Sequence, residues 1–205
     1  MENLTTKTEA RRLAELLIAR AKENETQITV YLQGIAAAVS AEMVGLENKI
    51  KTEESLTRKL TLLADKDKSS QTDKQKLGKF ARRNNDALRY TFVFQFEKYA
   101  QGFQETIEQL KKAGFEILPN RIWNAWENAE TPGDTGYRGV NITIISSQKQ
   151  RFELQFHTAE SFRLKTETHH LYKELSSLKT FDKRREEIIK EMLRLARQIK
   201  RPKEI

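Results

Sequence analysis

The segment that most constrains this chain is the run from Arg151 to His157, in which Arg151, Glu153, Gln155 and His157 alternate with Phe152, Leu154 and Phe156. A period of two is the signature of a β-strand, which places the two sets on opposite faces of a sheet. The apolar set needs a cover. The polar set either meets water, as on an edge strand, or lines a site. Composition narrows the choice. The chain has no cysteine, which excludes disulfides, thiolate catalysis and cysteine-ligated zinc. Its three histidines, at 157, 169 and 170, argue against a multi-histidine metal centre, so a metal here would be a hard cation on carboxylates. A net charge of +8 suits an anionic partner (nucleotide, RNA or an acidic inhibitor protein), and it is equally compatible with simple solubility. No apolar run approaches the ~20 residues of a membrane span. Met1 to Arg12 lacks the apolar centre of a signal peptide, so the expected site of action is the cytoplasm, with delivery by another secretion route left open.

Helical spacing marks residues 8–24, where Leu13, Leu16, Leu17 and Ala21 share a face, and a second helix is expected over 26–44. A third runs from Ser55 to Ala64 and a short basic one from Lys76 to Arg83, with a loop over Asp65 to Lys76. Four strands are predicted, Leu88–Phe96, Phe115–Trp123, Val140–Ile145 and Arg151–His157, with a helix over 97–113 ended by Gly114. Ser146 to Gln150 reads as a hairpin turn, and Thr131 to Gly136 as a loop. One helix follows from Ala159 to Leu178 and a basic one from Asp182 to Ile199. The expected class is α+β, with a small mixed sheet of about four to five strands flanked by helices. The segmentation is an N-terminal helical part (1–48), a catalytic domain (49–178) and a C-terminal basic helix (179–205).

Several residues invite a chemical reading and each has a plain alternative. Asp86 before the first strand is a metal ligand, a turn former or a cap. Glu153 lies on the polar face of its strand, which can be mere solvated surface. Tyr137, between Gly136 and Arg138-Gly139, can stack on a base or simply decorate a turn. Lys49, Lys51 and Lys59 around Ser55 make an anion site if they meet a helix N-terminus, or an ordinary charged surface if they do not.

Taken in order, KIK-TEES-LTRK, NNDALRYTF, TGYRGVN, FELQFHT and HHLYK resemble the RelA/SpoT synthetase family over about Lys49 to Lys173. The resemblance implies a pyrophosphokinase that uses ATP and Mg²⁺, with Asp86 and Glu153 as metal ligands and Glu153 also a base. It implies that Lys49, Lys51, Ser55 and Lys59 bind the ATP triphosphate, with Arg89 near the phosphates. Tyr137, Arg138, Asn141 and His157 would serve the acceptor, and Gln155 would line the floor beside Glu153. No His-Asp hydrolase motif is visible, which implies a synthetase-only protein.

Three positions depart from the family pattern. Lys49 replaces an Arg, Asn141 a His, and His157 an Arg. Glu130 and Asp134 stand where lysines often hold acceptor phosphates, so a guanine-nucleotide acceptor is disfavoured and an adenine nucleotide or an RNA 3′ end gains ground. The variant pattern is similar to the toxin and secreted-effector branch, whose members can have an acidic immunity protein as partner. Two other functions stay open. One is an RNA-binding domain that uses Arg184, Arg185, Lys190, Arg194 and Arg197 of the last helix. The other is an ADP-ribosyltransferase effector.

Overall fold

A computed structural model describes residues 2–129, 131, 133–178 and 182–205, with side chains from Thr6 onward. The elements run α1 (Glu2–Ala38), β1 (Glu42–Val44), α2 (Glu53–Lys66), α3 (Asp73–Arg83), β2 (Arg89–Phe94), α4 (Tyr99–Lys112), β3 (Glu116–Asn124), β4 (Val140–Ile145), β5 (Arg151–Thr158), α5 (Ala159–Glu167), α6 (His169–Ser177) and α7 (Lys183–Ala196). This is the expected α+β class with a mixed sheet. The strand order is β1-β2-β5-β4-β3, parallel only between β2 and β5. The alternating strand is therefore the middle one, so its polar face is not the solvated face of an edge strand.

The two expected N-terminal helices are one 37-residue helix. Ala14, Ala21, Ile28 and Ile35 recur every seven residues straight through the expected break and are all buried. That continuous stripe overrides the local strand preference of Ile28, Thr29, Val30 and Tyr31, three β-branched residues and an aromatic. The helix also stops earlier than expected. Ser40 takes a left-handed φ of 57°, the chain reverses, and Glu42–Val44 pairs antiparallel with β2 as an additional strand. The loop expected over Asp65–Lys76 is shorter, because Thr72 and Gln75 form a reciprocal capping box that starts α3 at Asp73. β3 carries a register irregularity between Ile117 and Ile122, around Pro119, which cannot donate to the ladder. The helix expected from Ala159 to Leu178 is two, α5 and α6, meeting at Thr168.

Strand alternation divides the sheet into two unlike faces. Tyr90, Phe92, Phe94, Val140, Ile142, Ile144, Phe152, Leu154 and Phe156 form one face and are all at most 2% exposed. They pack with α1 and α4 in a single apolar cluster. Phe103 of α4 meets Phe156 edge-on at 4.9 Å. Gly102 lies so close to the Phe94 ring that a Cβ there would overlap it at 2.3 Å. The other face carries Arg89, Thr91, Asn141, Thr143, Glu153, Gln155 and His157, in register across β2, β5 and β4. A second cluster, Ala10 and Ala14 of α1 with Leu56, Leu60, Leu77 and Ala81, fixes α2 and α3. Among the described residues, no helix is long and apolar enough to cross a membrane.

Candidate active site

Asp86 is positioned by the end of α3. Asn84 caps that helix, its side chain donates to Asp86 Oδ1 at 2.8 Å, and it accepts from the Ala87 amide at 3.0 Å. Lys51 reaches the same place from a short extended segment that pairs beside β2 through Ile50 and Leu88. Lys59 reaches it from the second turn of α2. Their ammoniums contact Asp86 Oδ2 at 2.6 and 2.7 Å. Burial alone would raise the Asp86 pKa, but the two lysines outweigh it and hold the carboxyl well below the usual range. Burial lowers Lys51, and the Asp86 charge only partly offsets this.

Glu153 sits one strand away, opposite Arg89 in the parallel register. The Gln155 amide nitrogen donates to Glu153 Oε1. The Gln155 oxygen accepts from Lys165 Nζ at 2.5 Å and from Thr91 Oγ1 at 3.4 Å, which fixes the amide's orientation. Burial raises the Glu153 pKa and the nearby Asp86 charge raises it further, while Gln155, Lys59 and Arg89 pull the other way. Asp86 precedes β2 and Glu153 lies on β5, the strand paired with it, so the two carboxylates come from adjacent parts of the sheet. Burial and the Arg89 charge lower Lys165 to about 8, against the pull of Glu153. The outcome is a compact field of Lys51, Lys59, Arg89 and Lys165 around two carboxylates.

Ser55 lies in the first turn of α2, where its amide donates to the Thr52 hydroxyl that caps the helix. It stands one turn before Lys59 on the same face. Lys49 is not brought to Asp86; it pairs with Glu25 of α1 at 3.0 Å.

The residues expected to serve an acceptor are arranged differently from an exposed loop. The Tyr137 hydroxyl donates to Asn141 Oδ1 at 2.6 Å and lies 2.9 Å from His157 Nε2. Its ring is stacked on Trp123, with centroids 5.1 Å apart and planes 14° from parallel. His157 is fully buried, its Nδ1 is 3.0 Å from Ser161 Oγ, and burial drives its pKa well below normal. It supports Tyr137 from beneath, a position that leaves no nitrogen for an acceptor. Arg138 is 5% exposed and makes two hydrogen bonds to Asp134, both at 3.0 Å. It too is turned inward. The same ion pair corrects the view of an acidic loop that repels phosphate, because the Asp134 charge is neutralised; Glu130 lies outside the described residues. Two glycines hold the loop in place. A Cβ on Gly136 (φ 79°) would strike the Met192 carbonyl of α7 at 2.7 Å, and one on Gly139 the Phe156 carbonyl at 2.8 Å. The last helix is also less free than its sequence suggests. Arg184 pairs with Glu174 and Glu187, Arg194 with Glu191, and Arg185 donates to the Leu175 carbonyl.

Sequence reasoning missed Lys165 and Trp123. The i, i+4 spacing of Ser161 and Lys165 was the available signal for the first, since it marks one face of α5, the face on which Ser161 meets His157. Trp123 meets Tyr137 only through the pairing of β3 with β4, where Trp123 opposes Asn141.

Among the described residues no three His, Cys, Asp or Glu side chains gather as a metal cage. Carboxylates from adjacent segments, Asp86 and Glu153, nevertheless suit Mg²⁺, which binds one or two carboxylates and fills its remaining positions with water and substrate phosphate.

No protein-family model matches the sequence, and no curated protein matches it. Solved structures do. Small alarmone synthetase 1 from Bacillus subtilis aligns over 90% of this chain and 88% of its own, at 16% identity and a TM-score of 0.60. This chain has the RelA/SpoT-like synthetase fold. The same synthetase bound to its product pppGpp aligns with a TM-score of 0.60 at 14% identity, again over 90% and 88% of the two chains. The complex of the type VI effector Tas1 with its immunity protein supplies a further match, with 15% identity, 90% and 96% coverage, and a TM-score of 0.55. The structural likeness thus covers more of the chain than the Lys49–Lys173 span of the sequence motifs.

Proposed function

We propose that this chain transfers the pyrophosphate group of ATP to a hydroxyl of a nucleotide or of an RNA 3′ end. The observation that carries the proposal is the placing of Asp86, just before β2, and Glu153, on the neighbouring β5, among four cations: Lys51 and Lys59 bonded to Asp86, Arg89 opposite Glu153 in register, and Lys165 bonded to Gln155. Lys51 and Lys59 leave Asp86 for the ATP phosphates, which frees its Oδ2, and Arg89 and Lys165 face the same charge from the sheet and α5. The Ser55 turn of α2 offers a further contact for the triphosphate. Glu153, whose raised pKa suits a base, takes the proton of the attacking hydroxyl. The hydroxyl oxygen bonds to the β-phosphorus, the bond from that phosphorus to the α–β bridging oxygen breaks, and AMP departs with the bridging oxygen. Mg²⁺ held by Asp86 and Glu153 would neutralise charge on the phosphate oxygens. Positioning and charge are enough to lower the barrier without a covalent intermediate.

The likeness to Tas1 and the charge of +8 support a toxin acting in a target cytoplasm, with an acidic immunity protein as partner. The ion-paired state of α7 weakens the RNA-binding alternative, and the synthetase fold weakens the ADP-ribosyltransferase one. With Asp134 paired to Arg138, the lean towards adenine acceptors keeps only Glu130 as its electrostatic argument, and guanine and adenine nucleotides are both to be tested.

The test is AMP release from ATP and Mg²⁺ with GDP, ADP or deacylated tRNA supplied singly. At least one acceptor should raise AMP clearly above the ATP-only blank. A blank-level result with all three, together with cleavage of NAD or salt-sensitive RNA retention, would replace this proposal with one of the alternatives.

A further inference from the structure

Two cavities flank the Trp123 indole. One, of about 240 Å³, runs along the polar face of the sheet from Trp123 past Asn141, Asn85 and Thr143 to Glu153, with Arg121 at its side. The other, of about 190 Å³, lies by the loop and is shared by Trp123 and Tyr137. We infer that Trp123, and not Tyr137, is the platform on which the acceptor's base stacks, and that the acceptor is a single nucleoside unit lying between Trp123 and Glu153. The inference rests on the pyrophosphotransfer proposal, because it takes Glu153 as the place where the acceptor hydroxyl must arrive.

Three observations carry it. The cavity that contains Glu153 contains Trp123 but not Tyr137, so only the indole is placed to hold a base while the sugar hydroxyl meets the carboxylate. Tyr137 is already committed, with one ring face under Trp123 and its hydroxyl held by Asn141 and His157. Trp123 is 46% exposed, whereas the other tryptophan, Trp126, is 1% exposed and donates to the buried Tyr99 hydroxyl. The stack beneath it holds the indole in place before any ligand arrives, which reduces the ordering cost of binding. Stacking on an aromatic ring accepts any base. The side-chain amides of Asn85 and Asn141 are then the groups left to read the base edge. Asn85 donates to Thr143 at 2.7 Å and keeps its oxygen, while Asn141 accepts from Tyr137 and keeps its NH₂. Arg121, exposed on β3, supplies a cation for the acceptor's phosphate.

Fluorescence tests this without turnover. GDP, ADP and deacylated tRNA are titrated separately onto the wild-type chain in the presence of Mg²⁺ and α,β-methylene-ATP, whose α–β bridge cannot be cleaved. Saturable quenching by at least one of them is expected, and it should vanish in Trp123→Phe, where only the buried Trp126 still emits. Which probe quenches separates a free nucleotide from an RNA end. In steady state, Trp123→Ala should raise the acceptor KM about ten- to a hundredfold and leave the ATP KM unchanged, with Trp123→Phe in between. Wild-type acceptor KM in a folded Trp123→Ala protein, or no quenching by any probe, overturns the platform. The two proposals fail separately. Absent AMP release with normal quenching removes pyrophosphotransfer, whereas normal AMP release with an unchanged acceptor KM removes only the role of Trp123.

Discussion

The two faces of the one sheet differ in almost every physical respect. The face towards α1 and α4 is sealed by aromatic and aliphatic side chains, and its rings meet mostly edge-on, as Tyr90 and Phe152 do at 5.9 Å. The face towards α5 holds ionised or ionisable groups that burial penalises. The same three strands, β2, β5 and β4, supply both. The contrast shows how the chain can carry an electrostatically costly site: one set of alternating positions provides the folding free energy, and the other is released from that task. Damage to the two faces should therefore have separable consequences.

The largest expected effect is on rate. Glu153→Gln should lower AMP release about 10²–10⁴-fold, the range for loss of a general base, and Asp86→Asn should be comparably disabled, both with native circular dichroism. Near-wild-type turnover in either would mean that the polar face is not the site. The mirror experiment is Phe156→Ala, which should cost about 3–5 kcal/mol of unfolding free energy in urea titration. A loss below about 1 kcal/mol would mean that the apolar face is not what holds the sheet.

A smaller effect separates the lysines. If Lys51 and Lys59 hold the ATP phosphates as proposed, Lys51→Ala and Lys59→Ala should each remove a charge-assisted contact of about 1.5–3 kcal/mol, and kcat/KM for ATP should fall roughly ten- to a hundredfold. If both mutants use ATP normally, the triphosphate binds elsewhere.

The two carboxylates should differ in stability. The folded-state pKa of Glu153 is raised, so its contribution is favourable below the unfolded pKa and is lost as pH rises through the folded value; at neutral pH its charge is a net cost. Asp86 is lowered, so it contributes stability above the unfolded pKa that is lost as pH falls through the folded value. Thermal melts at pH 7 should therefore show Glu153→Gln melting higher than wild type and Asp86→Asn lower. Shifts of the same sign would contradict the contrast between them. The mildest effect is on the pH profile. Lys165 loses its proton near pH 8, so kcat/KM should decline above about 8, and Lys165→Arg should carry the decline to higher pH. An unmoved limb would assign it to another group.

How much of this was legible beforehand depended on how local the signal was. The alternation of Arg151 to His157 identified β5 and both its faces, because a strand's facing is written in adjacent residues. Val140–Ile145 was read with its observed limits for the same reason. The continuity of α1 was missed because the polar run Lys22 to Thr26 interrupts the apolar pattern locally, while the helical stripe that settles the matter spans several turns. Asp86, Glu153, Lys51 and Lys59 were legible as a set through the family resemblance; the structure joins Lys51 and Lys59 to Asp86 and puts Glu153 on the adjoining strand. The sequence could not disclose who holds whom. The Glu25 partner of Lys49 is on α1, the Asp134 partner of Arg138 converts an apparent surface cation into a buried one, and the Trp123 that covers Tyr137 comes from another strand.

If the polar face of the sheet moves a pyrophosphate unit intact, ATP labelled separately at the α-, β- and γ-phosphates will show it in a turnover with Mg²⁺ and the best acceptor. The β and γ labels should appear on the acceptor in equal amounts and the α label as an equal amount of AMP, and in Glu153→Gln both the transfer and the AMP release should fall about 10²–10⁴-fold, as expected for loss of a general base. Transfer of the γ label alone, release of both labels as free pyrophosphate, or transfer that persists undiminished in Glu153→Gln would contradict the account.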